Sequence, residues 1–205
     1  MASVMSVQSL KIVLTGMPGC GKTTAVMKIA AALKVKKPAG FYTEEIRENN
    51  TRKGFKWVSL DGTSGILAHV DIRGAFRVGK YGVDVGGFEK SVVPILDNSL
   101  QASVNDKSGA GSSVQLIIID EIGKMECMSE KFINAVRRLF ASDKCVLATV
   151  AQKGGGFISE VKNYPQTRLF NVNRGNQETI VAEILQTVAA DILYKTNAVQ
   201  KNRGS

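Results

Sequence analysis

The chain alternates between short apolar runs and longer stretches with one apolar face, which predicts a mainly parallel sheet with helices on both faces. Short runs of β-branched and aromatic residues predict strands at 10–15, 40–46, 55–60, 66–72, 81–85, 114–120, 145–151 and 168–172. Stretches of helical periodicity predict helices at 22–34, 87–101, 129–141, 157–163 and 176–196. We therefore expect an α/β fold.

The segment 40–85 departs from this alternation, because its predicted strands follow one another without an intervening helix. A Gly- and Asp-containing turn at 61–65 separates two of them and reads as a hairpin. We expect an antiparallel β-rich insertion beside the parallel core. The polar run 105–113 is too short for a domain linker, and we expect it to be a mobile loop. The sequence predicts one domain over 1–205, with a core at about 10–190 and a basic, mobile C-terminal tail.

Composition narrows the class of protein. The 205 residues are 44% hydrophobic and 22% charged, as in an ordinary globular domain. The net charge of +9 suits a polyanionic partner, but no run of Lys and Arg indicates a nucleic-acid surface, although such a partner stays open. No apolar run is long enough to span a membrane, and no signal peptide precedes the first strand. The number of cysteines is odd, which favours free thiols in a reducing compartment. We therefore expect a cytoplasmic protein, with nuclear entry left open. We expect it to be a monomer.

Residues 16–23 read Gly-Met-Pro-Gly-Cys-Gly-Lys-Thr, the complete phosphate-binding pattern G-x-x-x-x-G-K-[ST] between a predicted strand and a predicted helix. Glycines let the backbone N–H groups turn towards phosphate oxygens, and the helix that follows adds the positive end of its dipole. The lysine of this pattern reaches the β- and γ-phosphates, and its threonine hydroxyl can ligate Mg²⁺. The nucleotide-binding residues expected here are Gly16, Met17, Pro18, Gly19, Cys20, Gly21, Lys22, Thr23 and Thr24.

A second motif has two acidic residues at the end of a predicted aliphatic strand. Residues 116–121 read Leu-Ile-Ile-Ile-Asp-Glu, which describes a central strand that delivers two carboxylates to the carboxyl edge of the sheet. Asp120 matches the aspartate that holds Mg²⁺ in phosphate-loop enzymes. Glu121 is then placed to orient or deprotonate a water that attacks the γ-phosphate. Ile122 and Gly123 complete the segment expected at the nucleotide.

Several cations are candidates for the phosphate side of the site. Lys124 follows the carboxylates and either stabilises charge on the γ-phosphate as a catalytic residue or pairs with Glu126 at the surface. The chain lacks the Asn-Lys-x-Asp string of a Ras-like guanine pocket, so we expect weak base selection. Sequence spacing alone does not choose among the other candidates, which are Arg73, Arg77, Arg168 and Arg174, the last also able to stack on a base.

Residues 120–126 read Asp-Glu-Ile-Gly-Lys-Met-Glu, which resembles the DEIGKME signature of the small nucleoside-triphosphatase family known from thermophiles and from the human cancer-related nucleoside-triphosphatase. The phosphate loop agrees with that family as well, and the resemblance runs from about residue 10 to about residue 185. The other stretches that agree with it, in the same order, are 40–47, 77–84 with 88–89, and 169–172.

This resemblance implies a RecA-like P-loop core, a three-layer sandwich, and slow Mg²⁺-dependent hydrolysis of several nucleoside triphosphates, ATP and GTP included, to diphosphates. Two alternatives stay open. A small-molecule or nucleotide kinase would use the same loop but needs an acceptor pocket with arginines in a closing lid, a role for which Arg137 and Arg138 are the candidates. A partner-dependent switch would bind nucleotide with negligible turnover, although binding alone does not need Glu121.

Overall fold

The computed structural model describes the backbone of residues 10–32, 38–101 and 116–203, and the side chains in these ranges up to residue 190. The run 105–113, for which a loop was predicted, lies outside the described residues. The strands are β1 Lys11–Gly16, β2 Ala39–Glu48, β3 Thr51–Ser59, β4 Ser64–His69, β5 Arg77–Val78, β6 Tyr81–Val83, β7 Leu116–Ile122, β8 Cys145–Ala151 and β9 Thr167–Asn171. The helices are α1 Lys22–Ala32, α2 Val85–Gln101, α3 Glu130–Ala141, α4 Phe157–Lys162 and α5 Gln177–Arg203, with a 3₁₀ turn at Glu126–Met128.

Every described strand belongs to one sheet, in the order β5-β6-β4-β3-β2-β7-β8-β1-β9. The five strands from β2 to β9 in that order pair in parallel, whereas β2, β3, β4, β6 and β5 pair antiparallel. The α/β fold is thus confirmed. The antiparallel segment lies beside the parallel core within the same sheet, because β2 pairs with both β3 and β7.

The core lies on both faces of this sheet and makes three layers. Helices α2, α3 and α4 pack on one face, where Ile117 and Ile119 of β7 point, and α1 and α5 pack on the other, where Ile118 points. Because both faces are covered, the central strands are apolar throughout instead of alternating. This explains why four consecutive aliphatic residues precede Asp120.

The structure shifts several predicted boundaries. β7 runs on to Ile122, two residues beyond the predicted end at 120, so Glu121 also lies within the strand. The pairing with β8 shifts register between Ile119 and Ile122. The C-terminal tail predicted after residue 190 continues helix α5 as far as Arg203. The predicted ends at 33–34 and 114–115 lie outside the described residues. Within the described part of the chain, every helix is too short or too polar to cross a bilayer.

Candidate active site

The phosphate loop connects the end of β1 to the start of α1, at the carboxyl edge of the parallel strands. The N–H of Cys20 donates to the carbonyl of Met17 at 3.2 Å, and Ala25 N–H donates to the carbonyl of Gly21 at 2.9 Å. Gly16 has a φ of +154°, and a Cβ there would lie 2.3 Å from the Val172 carbonyl oxygen. Only glycine therefore lets the loop approach the segment that follows β9 so closely. The Cys20 side chain is buried among the apolar residues below the loop.

Lys22 begins α1 and joins this loop to the acidic strand. Its side chain is 6% exposed, and Nζ donates to the carbonyl oxygens of Gly16 at 3.2 Å and Met17 at 3.4 Å. The same nitrogen lies 3.7 Å from Oε2 of Glu121. The ammonium group is thus held between the phosphate loop and a carboxylate, where the γ-phosphate of a bound nucleotide would need a cation.

Asp120 is completely buried beside the start of α1. Its Oδ1 accepts a hydrogen bond from the hydroxyl of Thr149, while its buried Oδ2 has no hydrogen-bond partner among the described residues. Burial raises the pKa of Asp120, and the Thr149 and Thr23 side chains and the Lys22 charge oppose this rise. A buried oxygen without a donor, next to a threonine hydroxyl, fits the hard oxygen donors that Mg²⁺ prefers.

Glu121 follows Asp120 and is only 31% exposed, so it faces both water and the site. Burial raises the pKa of the Glu121 carboxyl, and the neighbouring Asp120 charge acts in the same direction. The Lys22 ammonium acts in the opposite direction and favours the ionised form. A carboxylate with a raised pKa and contact with solvent suits the acceptance of a proton from water.

The side chains of Lys124 and Glu126, for which the sequence suggested a surface pair, lie apart in the structure. Lys124 is exposed, and no carboxylate of the described residues lies within 4.0 Å of its ammonium group. Glu126 is instead 5% exposed, and its Oε2 accepts the N–H of Gly123 at 3.1 Å. Burial raises the pKa of Glu126 to about 8. The surface pair of Lys124 with Glu126 is therefore wrong, and a role for Lys124 at the γ-phosphate stays a prediction.

Strand order or register separates three of the candidate arginines from the phosphate loop. Arg77 lies on β5, seven positions from β1 in the strand order, which is about 30 Å at the usual strand spacing. Arg73 lies in the connection between β4 and β5, among the antiparallel strands. Arg168 pairs in register with Ile12, near the start of β1, and donates to the Thr187 hydroxyl at 3.3 Å. Of the four, Arg174 alone lies in a segment that contacts the phosphate loop, because Val172 lies against Gly16 and Gln177 donates to Gly21 on either side of it.

Two polar residues that sequence analysis missed hold the site together. Thr149 donates to Asp120 from the neighbouring strand β8, and Gln177 Nε2 donates to the Gly21 carbonyl at 2.8 Å from the start of α5. Thr149 carried a signal, because it is the single polar residue in the strand Cys-Val-Leu-Ala-Thr-Val-Ala. A buried polar residue in such a strand needs a partner. Gln177 carried none, because its contact joins distant parts of the chain.

Comparison with known proteins identifies the family of the chain. The model of the NTPase family matches residues 11–185. The nucleoside-triphosphatase THEP1 of Thermotoga sp. (strain RQ2) is 40% identical over 179 residues, covering 87% of this chain and 95% of that protein. The human cancer-related nucleoside-triphosphatase is 37% identical over 188 residues, covering 86% and 95%.

A solved structure gives the same result for the fold. The crystal structure of THEP1 from the hyperthermophile Aquifex aeolicus superimposes with a TM-score of 0.77 at 34% identity, over 87% of this chain and 98% of that one. The family match extends over most of the chain, and the structural match confirms a P-loop NTPase fold. The chain belongs to the NTPase family.

Proposed function

We propose that this member of the NTPase family hydrolyses nucleoside triphosphates to nucleoside diphosphates and inorganic phosphate. One observation carries the proposal: Lys22 of the phosphate loop lies 3.7 Å from Glu121, and Asp120 is buried between Thr149 and the start of α1. A cation for the γ-phosphate, a metal-binding carboxylate and a carboxylate for water thus meet at one edge of the sheet. These are the parts that phosphoryl transfer to water requires.

In this proposal the loop 16–24 binds the phosphates. Its backbone N–H groups and the amino end of α1 face the β- and γ-phosphates, and Lys22 neutralises charge that develops on the γ-phosphate. The carbonyl groups that now hold the Lys22 ammonium, those of Gly16 and Met17, keep it at the mouth of the loop. The side chain therefore needs little reorganisation when a nucleotide binds.

Glu121 acts on the nucleophile. Its carboxylate orients a water molecule and accepts a proton from it while the water oxygen bonds to the γ-phosphorus. The bond from that phosphorus to the β,γ-bridging oxygen breaks, and the nucleoside diphosphate leaves. Lys22 helps to keep Glu121 ionised before this step, because its positive charge lowers the pKa that burial raises.

Thr23 and Asp120 are the residues that would hold a Mg²⁺ ion with the substrate. When bound, the ion supplies positive charge that neutralises the phosphate oxygens. The structure supports this part of the proposal through Oδ2 of Asp120, which is buried without a hydrogen-bond partner among the described residues. Thr149 fixes the other oxygen of the same carboxylate and so orients the metal-facing one.

Broad base specificity and low turnover complete the proposal. Arg174 is exposed, and the loop around it has no Ras-like base-recognition string, so base selection is weak and both ATP and GTP are substrates. In the described part of the chain, Lys22 is the one cation within 4.0 Å of Glu121. Without a second fixed cation of the arginine-finger kind, stabilisation of the transition state is incomplete and turnover is slow.

The kinase alternative is less well supported, because the arginines that it needs are engaged elsewhere. Arg137 forms a two-pronged pair with Glu160 of α4, with Nε and Nη2 each 2.8 Å from a carboxylate oxygen. Arg138 pairs with Asp97 of α2. Both arginines therefore tie helices together on one face of the sheet and do not line an acceptor pocket.

We further propose that the chain forms one domain and acts as a cytoplasmic monomer. The single sheet that contains every described strand supports one domain. The free thiols of Cys20 and Cys127 suit a reducing compartment.

The test is phosphate release by the purified chain with Mg²⁺ and each of ATP, GTP, CTP and UTP. We expect slow release from most of them. Glu121→Gln should lower kcat by about 10²–10⁴-fold, because the amide cannot accept the proton, and should leave nucleotide binding intact. Glu130→Gln, which changes an exposed carboxylate of the same region, is the control. Full activity of Glu121→Gln would contradict the role of Glu121, and nucleotide binding without phosphate release would favour a kinase or a partner-dependent switch.

A further inference from the structure

Glu126 is a buried carboxyl group that the hydrolysis described above does not use. Its side chain is 5% exposed and lies five residues after Glu121. Burying a carboxyl group costs free energy unless the protein gains a specific interaction from it. The carboxyl accepts the N–H of Gly123 at its Oε2, at 3.1 Å, and also accepts its own backbone N–H. We therefore looked for a function of the hydrogen bond between Glu126 and Gly123.

The segment around Glu126 clamps both sides of Gly123. While Glu126 accepts the Gly123 N–H, the Gly123 carbonyl accepts the N–H of Cys127 at 3.0 Å. The Glu126 carbonyl in turn accepts the N–H of Ser129 at 3.1 Å, which ties this turn to the start of α3. Gly123 thus has little freedom to move, and it lies only two residues after Glu121.

Gly123 also lies close to both carboxyl groups. A Cβ on Gly123 would be 2.8 Å from Oε2 of Glu126 and 3.5 Å from Oε1 of Glu121. A shift of the Gly123 backbone would therefore be felt by both side chains. We propose that Glu126 is a positioning residue, which acts through Gly123 to hold the Glu121 carboxylate where it meets the attacking water. This inference rests on the proposed hydrolysis, since it gives Glu126 a part in that same reaction.

The charge state of Glu126 agrees with this role. Burial raises its pKa to about 8, and the Glu121 and Asp120 charges act in the same direction. At neutral pH the group is therefore mostly uncharged and accepts the Gly123 N–H without adding a third negative charge beside Glu121. The elements packed against this turn carry further charged groups, of which Glu89 on α2 pairs with Lys131 on α3 while Glu130 is exposed.

Substitutions at Glu126 separate positioning from a merely structural role. Glu126→Gln keeps an oxygen for the Gly123 N–H and should keep kcat within about twofold at neutral pH. Glu126→Ala removes the acceptor, and Glu126→Asp is one methylene too short to reach it. Both should lower kcat about tenfold or more with KM and nucleotide affinity nearly unchanged, because Glu121 is misplaced while the phosphate loop is intact. Glu130→Ala, four residues away and exposed, is the matched control.

A second variant tests the coupling without altering either carboxyl group. Gly123→Ala places a Cβ close to both Glu121 and Glu126, at the distances given above, and should lower kcat with KM unchanged. The double variant Gly123→Ala/Glu126→Ala should lose less than the sum of the two single losses, because both act on one arrangement. Thermal unfolding of each variant identifies any that does not fold.

The pH dependence of kcat distinguishes positioning from a simple loss of packing, which would not change it. In the wild type, kcat should fall above about pH 8 as Glu126 ionises beside Glu121, and Glu126→Gln should lack this loss. The inference is overturned if folded Glu126→Ala and Gly123→Ala keep wild-type kcat, or if Glu126→Gln is as impaired as Glu126→Ala. Glu121→Gln in the same series distinguishes the two hypotheses. Full activity of Glu121→Gln would contradict the proposed role of Glu121 in hydrolysis. An inactive Glu121→Gln together with a fully active Glu126→Ala would contradict only the role of Glu126.

Discussion

The two walls of the site reach their chemistry by different means. The phosphate wall, residues 16–24, consists of backbone groups, hydroxyls and one lysine, all placed by a short local turn between β1 and α1. The acidic wall, residues 120–126, carries three carboxyl groups whose pKa values are all raised, chiefly by burial. The first wall works through local conformation, whereas the second depends on what the rest of the fold packs around it.

The two walls meet at one contact, Lys22 to Glu121 at 3.7 Å. Lys22 belongs to the phosphate wall, but its charge also acts on the acidic wall, because it lowers the pKa of Glu121. A substitution at Lys22 should therefore damage both walls, whereas substitutions deeper in the acidic wall should damage only one.

The largest effect is expected for Lys22→Ala, which removes the contact between the walls. Because it deletes the cation for the γ-phosphate and a support of ionised Glu121, kcat/KM should fall by about 10²–10³-fold or more, with weaker nucleotide binding. Phosphate release and direct nucleotide binding measure the two parts. Lys28→Ala removes an exposed lysine of the same helix α1, which pairs with Glu178 of α5, and is the control that should keep activity. Unchanged nucleotide binding by Lys22→Ala would contradict the role of Lys22 in binding the phosphates.

An intermediate effect is expected for Thr149→Val, which alters only the acidic wall. The substitution removes the hydrogen bond to Oδ1 of Asp120 in a fully buried place, so stability should fall by about 1–3 kcal/mol and the apparent Mg²⁺ affinity in the activity assay should weaken. Urea unfolding and a Mg²⁺ titration measure these changes. Thr15→Val, which breaks a 3.2 Å bond to the Val150 carbonyl, should lower stability without changing the Mg²⁺ requirement. Equal Mg²⁺ curves for both variants would remove Thr149 from the metal site.

The smallest effect on activity is expected for Glu126→Gln, whose main consequence is for the pH dependence of stability. The pKa of Glu126 rises from 4.5 to about 8 on folding, so the folded state binds more protons between these values and Glu126 makes stability fall as pH rises through this window. Glu126→Gln removes this slope. Its stability relative to the wild type should therefore increase from about pH 5 to about pH 9 in urea unfolding. A constant difference across the window would show that Glu126 is not buried as an acid.

The same contrast explains how far sequence reasoning reached. Glycines at 16, 19 and 21 followed by Lys22 require one backbone path, so the loop and its neighbours could be predicted from consecutive residues. The aliphatic run before Asp120 likewise predicted a central strand. Of the two alternatives left open for Lys124, the surface pair with Glu126 was wrong, because neighbouring charges in sequence suggest such a pair when burial is not known. Arg73, Arg77 and Arg168 could not be ranked, because their distance from the loop depends on strand order.

The sequence by itself determined the phosphate loop, the acidic strand and the α/β class, since each depends on spacing within a few residues or on local periodicity. Only the tertiary structure decided that β2 carries the antiparallel strands into the same sheet, that Thr149 and Gln177 support the two walls, and that Glu126 turns inward to Gly123. The physical reason is that burial and long-range hydrogen bonds are properties of packed neighbours. The pKa values of the three carboxyl groups therefore follow from the fold and not from the motif that contains them.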